Sequence, residues 1–161
     1  MRRKTICLII LVFAFNCVNA MVADTVSFGT FGKVLIYKPV SVVNSVVLFI
    51  SGEKGWNHDA MEMANPIINQ GAIVVGIDIR YYLKKLTAEH LACYYPAGDL
   101  EELSLMLQKK YKLSQYFKPI LIGYSSGATL VYGALAQAPA NTFKGALALA
   151  FSADIAVNKP L

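Results

Sequence analysis

The chain has 161 residues, about one domain by the usual span of roughly 100–200, and 56% of them are hydrophobic against 16% charged. That balance excludes a disordered chain, a collagen-like chain and a highly charged coiled coil, and three cysteines are too few for a disulfide scaffold. The net charge of +5 is front-loaded in Arg2, Arg3 and Lys4, beyond which basic residues barely outnumber the 10 acidic ones, so no basic stripe for nucleic acid remains.

Residues 1–20 read as a secretory signal peptide. Arg2-Arg3-Lys4 is the positive start, 5–15 is an almost unbroken apolar run, and Val18-Asn19-Ala20 supplies small residues at a cleavage site. A retained membrane anchor is the alternative, but the run is shorter than the roughly 20 residues a spanning helix needs. Cleavage leaves residues 21–161 as the mature domain and Cys93 as its one cysteine, read as small apolar filler. No Cys/His cluster has zinc-ligand spacing, so no metal or cofactor is expected.

The mature chain alternates strand-like and helix-like segments. Residues 26–31 and 34–37 predict an opening hairpin across Gly32-Lys33. Residues 45–51 (SVVLFIS) and 72–78 are continuous apolar runs, as strands buried on both faces require. Between them, 59–69 predicts a helix with Met61, Ala64, Ile67 and Ile68 on one face. Residues 81–96 read as irregular, with a short helix near 87–93. A helix follows over 99–111, with Asp99 as cap, Glu101 and Glu102 near its start, and Lys109 and Lys110 near its end. Then come a buried strand at 119–124, a small-residue helix at 126–138 and a fourth buried strand at 144–151. This alternation predicts an α/β fold, a doubly wound, mainly parallel sheet with helices on both faces. The sheet is expected to be C-terminally incomplete, the N-terminal part of a larger domain or a naturally short relative.

Gly123-Tyr124-Ser125-Ser126-Gly127 matches G-x-S-x-G. The pentapeptide alone is a weak signal, and a plain glycine turn is its bland reading. Its place after the strand Ile120-Leu121-Ile122 and before a helix is what a nucleophile elbow requires. There Gly123 and Gly127 relieve crowding around a strained Ser125 whose hydroxyl projects above the carboxyl ends of the strands. Ser51-Gly52-Glu53-Lys54-Gly55-Trp56 follows an earlier buried strand. Its Glu53 amide and the Ser126 amide are the expected oxyanion donors, with Glu53 acting through its backbone and not its carboxylate. The other reading is an ordinary glycine loop with Trp56 in the core.

These segments, with Val75-Gly76-Ile77-Asp78-Ile79-Arg80-Tyr81-Tyr82 and Ile122 to Ala128, resemble the bacterial virulence protein VirJ/AcvB domain, a branch of the α/β-hydrolases. The resemblance covers its N-terminal two-thirds. Two departures flank the site: Glu53-Lys54 where the family usually has Asp-Gly, and Ala128-Thr129 where it often has Ala-Asp. The resemblance implies an α/β-hydrolase-type fold and a periplasmic protein near the inner-membrane surface. It also implies serine hydrolase activity on aminoacylated phosphatidylglycerol, an ester of a membrane phospholipid, and an association with type IV secretion.

A serine nucleophile needs a base and a group to orient it. After Ser125 the chain offers Asp154 and no histidine. Asp154 is the candidate catalytic acid, or else a turn residue. His58 and His90 precede Ser125, against the chain order of such triads, and a surface or helix-start role suits them better. Asp78 and Arg80 form a structural ion pair or contact a polar headgroup, the former being favoured. Tyr81-Tyr82 and Tyr94-Tyr95 line a lid or serve as packing. Two functions stay open: an exported serine esterase, expected to work poorly without a downstream histidine, and a non-catalytic adaptor in an envelope or secretion complex.

Overall fold

A computed structural model describes residues 23–88 and 93–152. Its six strands are β1 (Ala23–Phe28), β2 (Gly32–Tyr37), β3 (Ser45–Ile50), β4 (Ala72–Ile77), β5 (Ile120–Tyr124) and β6 (Gly145–Leu149). They form one sheet in the order β1-β2-β4-β3-β5-β6. β2 pairs antiparallel with β1 on one side and β4 on the other, while β4, β3, β5 and β6 run parallel. The helices are α1 (His58–Asn69), α2 (Ile79–Ala88), α3 (Pro96–Lys110) and α4 (Ser126–Gln137).

The apolar strand runs divide by parity, because successive side chains point to opposite faces. Leu48, Ile50, Val75, Ile77 and Leu121 pack with Tyr82, Leu100, Leu103 and Val131 of α2, α3 and α4. Val47, Phe49, Val74 and Ile122 pack with Ala64 and Ile68 of α1 on the other face. The sheet is therefore covered from both sides, as its continuous β-branched runs predict. The Asn57 side chain caps α1 by accepting the Ala60 amide at 3.1 Å.

Five expectations are corrected. The hairpin turn is a 3-10 turn at Gly29–Phe31, and Gly32 opens β2. Phe31 leaves the strand because its fully buried ring stacks on Tyr82, with centroids 4.5 Å apart. The segment read as irregular holds α2, whose Ile79, Tyr82 and Leu86 are all buried at helical spacing. α3 begins at Pro96, which suits the first turn of a helix. Asp99 is then inside the first turn, accepting the Tyr82 hydroxyl at 2.7 Å and tying α2 to α3. Finally, β6 is not buried: Ala146, Leu147 and Ala148 are exposed, because among the described strands it pairs with β5 alone. Cys93 is also exposed and is no core filler.

Trp56 lies across β4. A Cβ on Gly76 would stand 2.6 Å from the indole ring. The ring is held by an edge contact with Phe49 and by its N–H, which donates to the Tyr37 hydroxyl at 3.0 Å. Gly76→Ala is expected to destabilise the fold by about 1–3 kcal/mol through overpacking, measured as a lower urea midpoint with an unchanged slope.

Candidate active site

β5 runs out at Tyr124, and the chain reverses at Ser125 before entering α4 at Ser126. Ser125 has φ 55° and ψ −123°, a backbone state that costs a non-glycine residue about 1–3 kcal/mol. Backbone hydrogen bonds hold it there. Its amide donates to the Leu149 carbonyl of β6 at 2.9 Å, and its carbonyl accepts the Ala128 amide at 2.8 Å. The flanking glycines are needed for space. A Cβ on Gly123 would collide with the Gly127 carbonyl, and one on Gly127 with the carbonyls of Ile50 and Ser51. Gly52 is a less strict position, since its Cβ would stand 3.1 Å from the Ser125 Cβ, a tight contact that a small shift relieves.

The loop after β3 is pinned beside this turn. The buried Ser51 hydroxyl accepts the Ile79 amide at 3.2 Å, and the Ser51 amide donates to Ile77 at 3.0 Å. The Gly55 amide donates to the Gly52 carbonyl at 2.8 Å, closing a tight turn around Glu53 and Lys54. A crevice of about 230 Å³ opens here, lined by Glu53, Lys54, Asp59, Met63, Tyr124 and Ser125 among others.

Glu53 enters this crevice with its carboxylate, contrary to the expectation that only its backbone takes part. Ser125 Oγ donates to Glu53 Oε2 at 2.9 Å. The carboxyl is held below the usual glutamate range first by its own backbone amide, then by the hydroxyls of Ser125 and Ser126, and also by the Ser126 amide. Ser126 Oγ is buried and completes no hydrogen bond of good geometry, so it assists by proximity. The hydroxyl expected to attack is thus hydrogen-bonded to a carboxylate of the same chain. The side chain's direction depends on how β3 and α4 abut, a tertiary fact the local sequence does not carry.

The remaining candidates among the described residues lie apart. His58 opens α1, exposed, with Nε2 3.2 Å from Glu62, and is not among the crevice residues. Asp154 and His90 fall outside the described residues, and so does the leader at 1–20. Thr129 Oγ1 donates to the Ser152 carbonyl, which brings the chain after β6 against the first turn of α4. Tyr82 and Tyr94 are core residues, whereas Tyr81 lines a separate groove with Gly32 and Asp78. Among the described residues no three His, Cys, Asp or Glu side chains gather as metal ligands.

Asp78 and Arg80 form the structural ion pair: Arg80 Nε and Nη2 donate to the two carboxylate oxygens at 3.0 and 2.6 Å. The Arg80 side chain is the chief cause that lowers the Asp78 pKa, against a smaller opposing effect of burial. A lowered folded-state pKa means stability that is present above the unfolded value and lost as pH falls through the folded one. Asp78→Asn should therefore lower the melting temperature at pH 7. The gap from the parent should narrow as pH drops below the ordinary aspartate range of about 4, as thermal melts across pH 7 to 3 would record.

Comparison with known proteins accords with this geometry. A carboxyl esterase from Bacillus coagulans, in complex with glycerol, superposes with a TM-score of 0.55 and 18% identity over 78% of this chain and 43% of that one. Dienelactone hydrolase from Anabaena variabilis gives 0.54 and 21% over 78% and 61%. A poly(3-hydroxybutyrate) depolymerase from Bordetella parapertussis gives 0.56 and 13% over 80% and 51%. The chain thus spans about half the length of these structures, which share its α/β-hydrolase fold. No curated protein sequence matches it. The family model for the bacterial virulence protein VirJ matches residues 44–157, and the chain belongs to that family.

Proposed function

We propose that this protein is an exported serine ester hydrolase with Ser125 as its nucleophile. The observation that carries the reading is Ser125 itself, held at φ 55° between β5 and α4 with its hydroxyl at the crevice. In the reaction Ser125 Oγ attacks the ester carbonyl and its proton passes to a base. Glu53, whose carboxyl is held below the ordinary range, is a weak base for that step. The negative oxygen of the tetrahedral intermediate is received by the amides of Glu53 and Ser126, each such donor being worth about 3–4 kcal/mol. Collapse expels the alcohol, and water then cleaves the acyl-enzyme. Asp154 is the proposed orienting acid of the base.

The substrate is an aminoacylated phosphatidylglycerol: the acyl group is an amino acid and the leaving group a glycerol hydroxyl. Family membership supports this, and the acidic Glu53 and Asp59 of the crevice suit an ammonium-bearing acyl group. The protein works in the periplasm at the inner-membrane surface, alongside type IV secretion components. A second reading, a non-catalytic adaptor of an envelope or secretion complex, is favoured by one observation. In the free protein, the Ser125 hydroxyl is already hydrogen-bonded to a carboxylate of the chain itself.

A fluorophosphonate probe separates the two. The hydrolase reading expects a single adduct on Ser125, absent from Ser125→Ala and located by peptide mass spectrometry, and an unlabelled parent chain favours the adaptor. Export has its own test. Protein recovered from the periplasm should begin near Met21, whereas an intact chain recovered from the cytoplasm opposes it.

A further inference from the structure

The first residues of α2 hold the loop after β3 at both of its ends. At the near end, the Ser51 hydroxyl accepts the Ile79 amide at 3.2 Å. At the far end, the Arg80 guanidinium lies against Gly55, where a Cβ would collide with Nη2, Cζ and Nε. Gly55 is buried, although Glu53 and Lys54 before it are exposed. Between the two holds is the stretch that faces the serine. Gly52 packs against Ser125, and Glu53 Oε2 accepts its hydroxyl at 2.9 Å.

The fold itself has little need of the Arg80 side chain. Asp78 has a local duty, because its Oδ1 accepts the Arg80 amide at 3.0 Å at the start of α2, as a capping side chain does. The guanidinium takes no part in that. It belongs to a side chain that is 59% exposed, and an exposed ion pair adds little to stability. Yet both carboxylate oxygens engage it, through Nε and Nη2, a two-point grip that fixes the orientation of the planar group. The group so fixed covers Gly55, which at φ 73° and without a side chain leaves room for it. The Gly55 amide in turn closes the loop on the Gly52 carbonyl at 2.8 Å. A guanidinium locked over Gly55 keeps that turn shut, and the Glu53 amide is part of the turn.

We propose that Arg80 is a positioning residue of the active site: its guanidinium, locked by Asp78, closes on Gly55 and holds the Glu53 amide at the place where the oxyanion forms. This rests on Ser125 being the nucleophile and on the Glu53 amide being an oxyanion donor. Arg80 is not among the crevice residues, so it acts through the loop and not on the substrate. Its loss slows bond formation and leaves reversible binding alone.

The test follows fluorophosphonate labelling of the parent chain, Arg80→Ala and Arg80→Lys by intact mass over a range of probe concentrations. Arg80→Ala should lower the maximal rate constant at Ser125 about tenfold, less than the roughly 10²–10³-fold loss that removal of a whole donor brings. The half-saturating probe concentration should not change. Partial unfolding would instead reduce the labelled fraction and spare the rate constant. Arg80→Lys keeps the charge but not the two-point grip, so it should be as slow as Arg80→Ala. A parental rate in Arg80→Ala overturns the proposal, and so does one in Arg80→Lys, where charge alone would then suffice. Hydrogen exchange supplies a readout independent of catalysis. In Arg80→Ala the Gly55 amide should exchange about tenfold faster or more, while the amides of Val75 and Leu121 in the central strands keep their parental rates. An unchanged Gly55 amide, or faster exchange throughout the strands, overturns the positioning role even if labelling slows. If the parent chain itself is not labelled, the Ser125 reading fails and the role of Arg80 falls with it. A labelled parent with unaffected variants sinks Arg80 alone.

Discussion

Three pieces of backbone converge where β3, β5 and α4 meet, and every feature of the crevice depends on that approach. Gly127 lies against the carbonyls of Ile50 and Ser51, Gly123 against Gly127, and Gly52 against Ser125. A methyl group on Gly123 or Gly127 would wedge the layers apart, and one on Gly52 would crowd the serine. Because the layers touch, Ser125 is lifted to the end of the sheet in a conformation that no local preference would choose. The sheet supplies the compensation, since the Leu149 carbonyl accepts the Ser125 amide and so couples the turn to β6.

The same approach explains why the acid residue beside the serine has a mixed character. A carboxylate surrounded by amide and hydroxyl donors is a well-solvated anion in a protein setting. It takes protons reluctantly, so it holds the serine hydroxyl by a hydrogen bond better than it takes the serine proton. Chemistry at Ser125 therefore needs a base other than the group that now receives its hydrogen bond.

Much of the architecture was legible because it rests on composition. The runs at 45–51 and 72–78 are apolar without interruption, a pattern that fits few places other than the middle of a parallel sheet, and both are central strands. The glycines of the elbow were equally plain. What escaped was decided by distant partners. Phe31 continues a strand pattern, yet it turns inward because Tyr82 offers a stacking face. α2 carries helical spacing, but paired tyrosines and lysines obscure it. Nothing local in Ser51-Gly52-Glu53 shows whether the glutamate points to water or to the serine. The edge character of β6 is likewise set by its neighbours and not by its own apolar residues.

The parallel pairing at the centre of the sheet bears on how the molecule is assembled. β3 sits between β4 and β5, and its partners across β5 are remote in sequence: Val47 pairs with Ile120 and Ile50 with Gly123. Closing so large a loop is entropically slow, and contacts of this range delay folding. The β1–β2 hairpin and the β3-α1-β4 unit are built from nearer neighbours, so they can form while β5 is still unpaired. During synthesis the loop bearing Glu53 would thus exist before the serine it meets, and the crevice becomes a late product of folding, completed only when β5 docks beside β3.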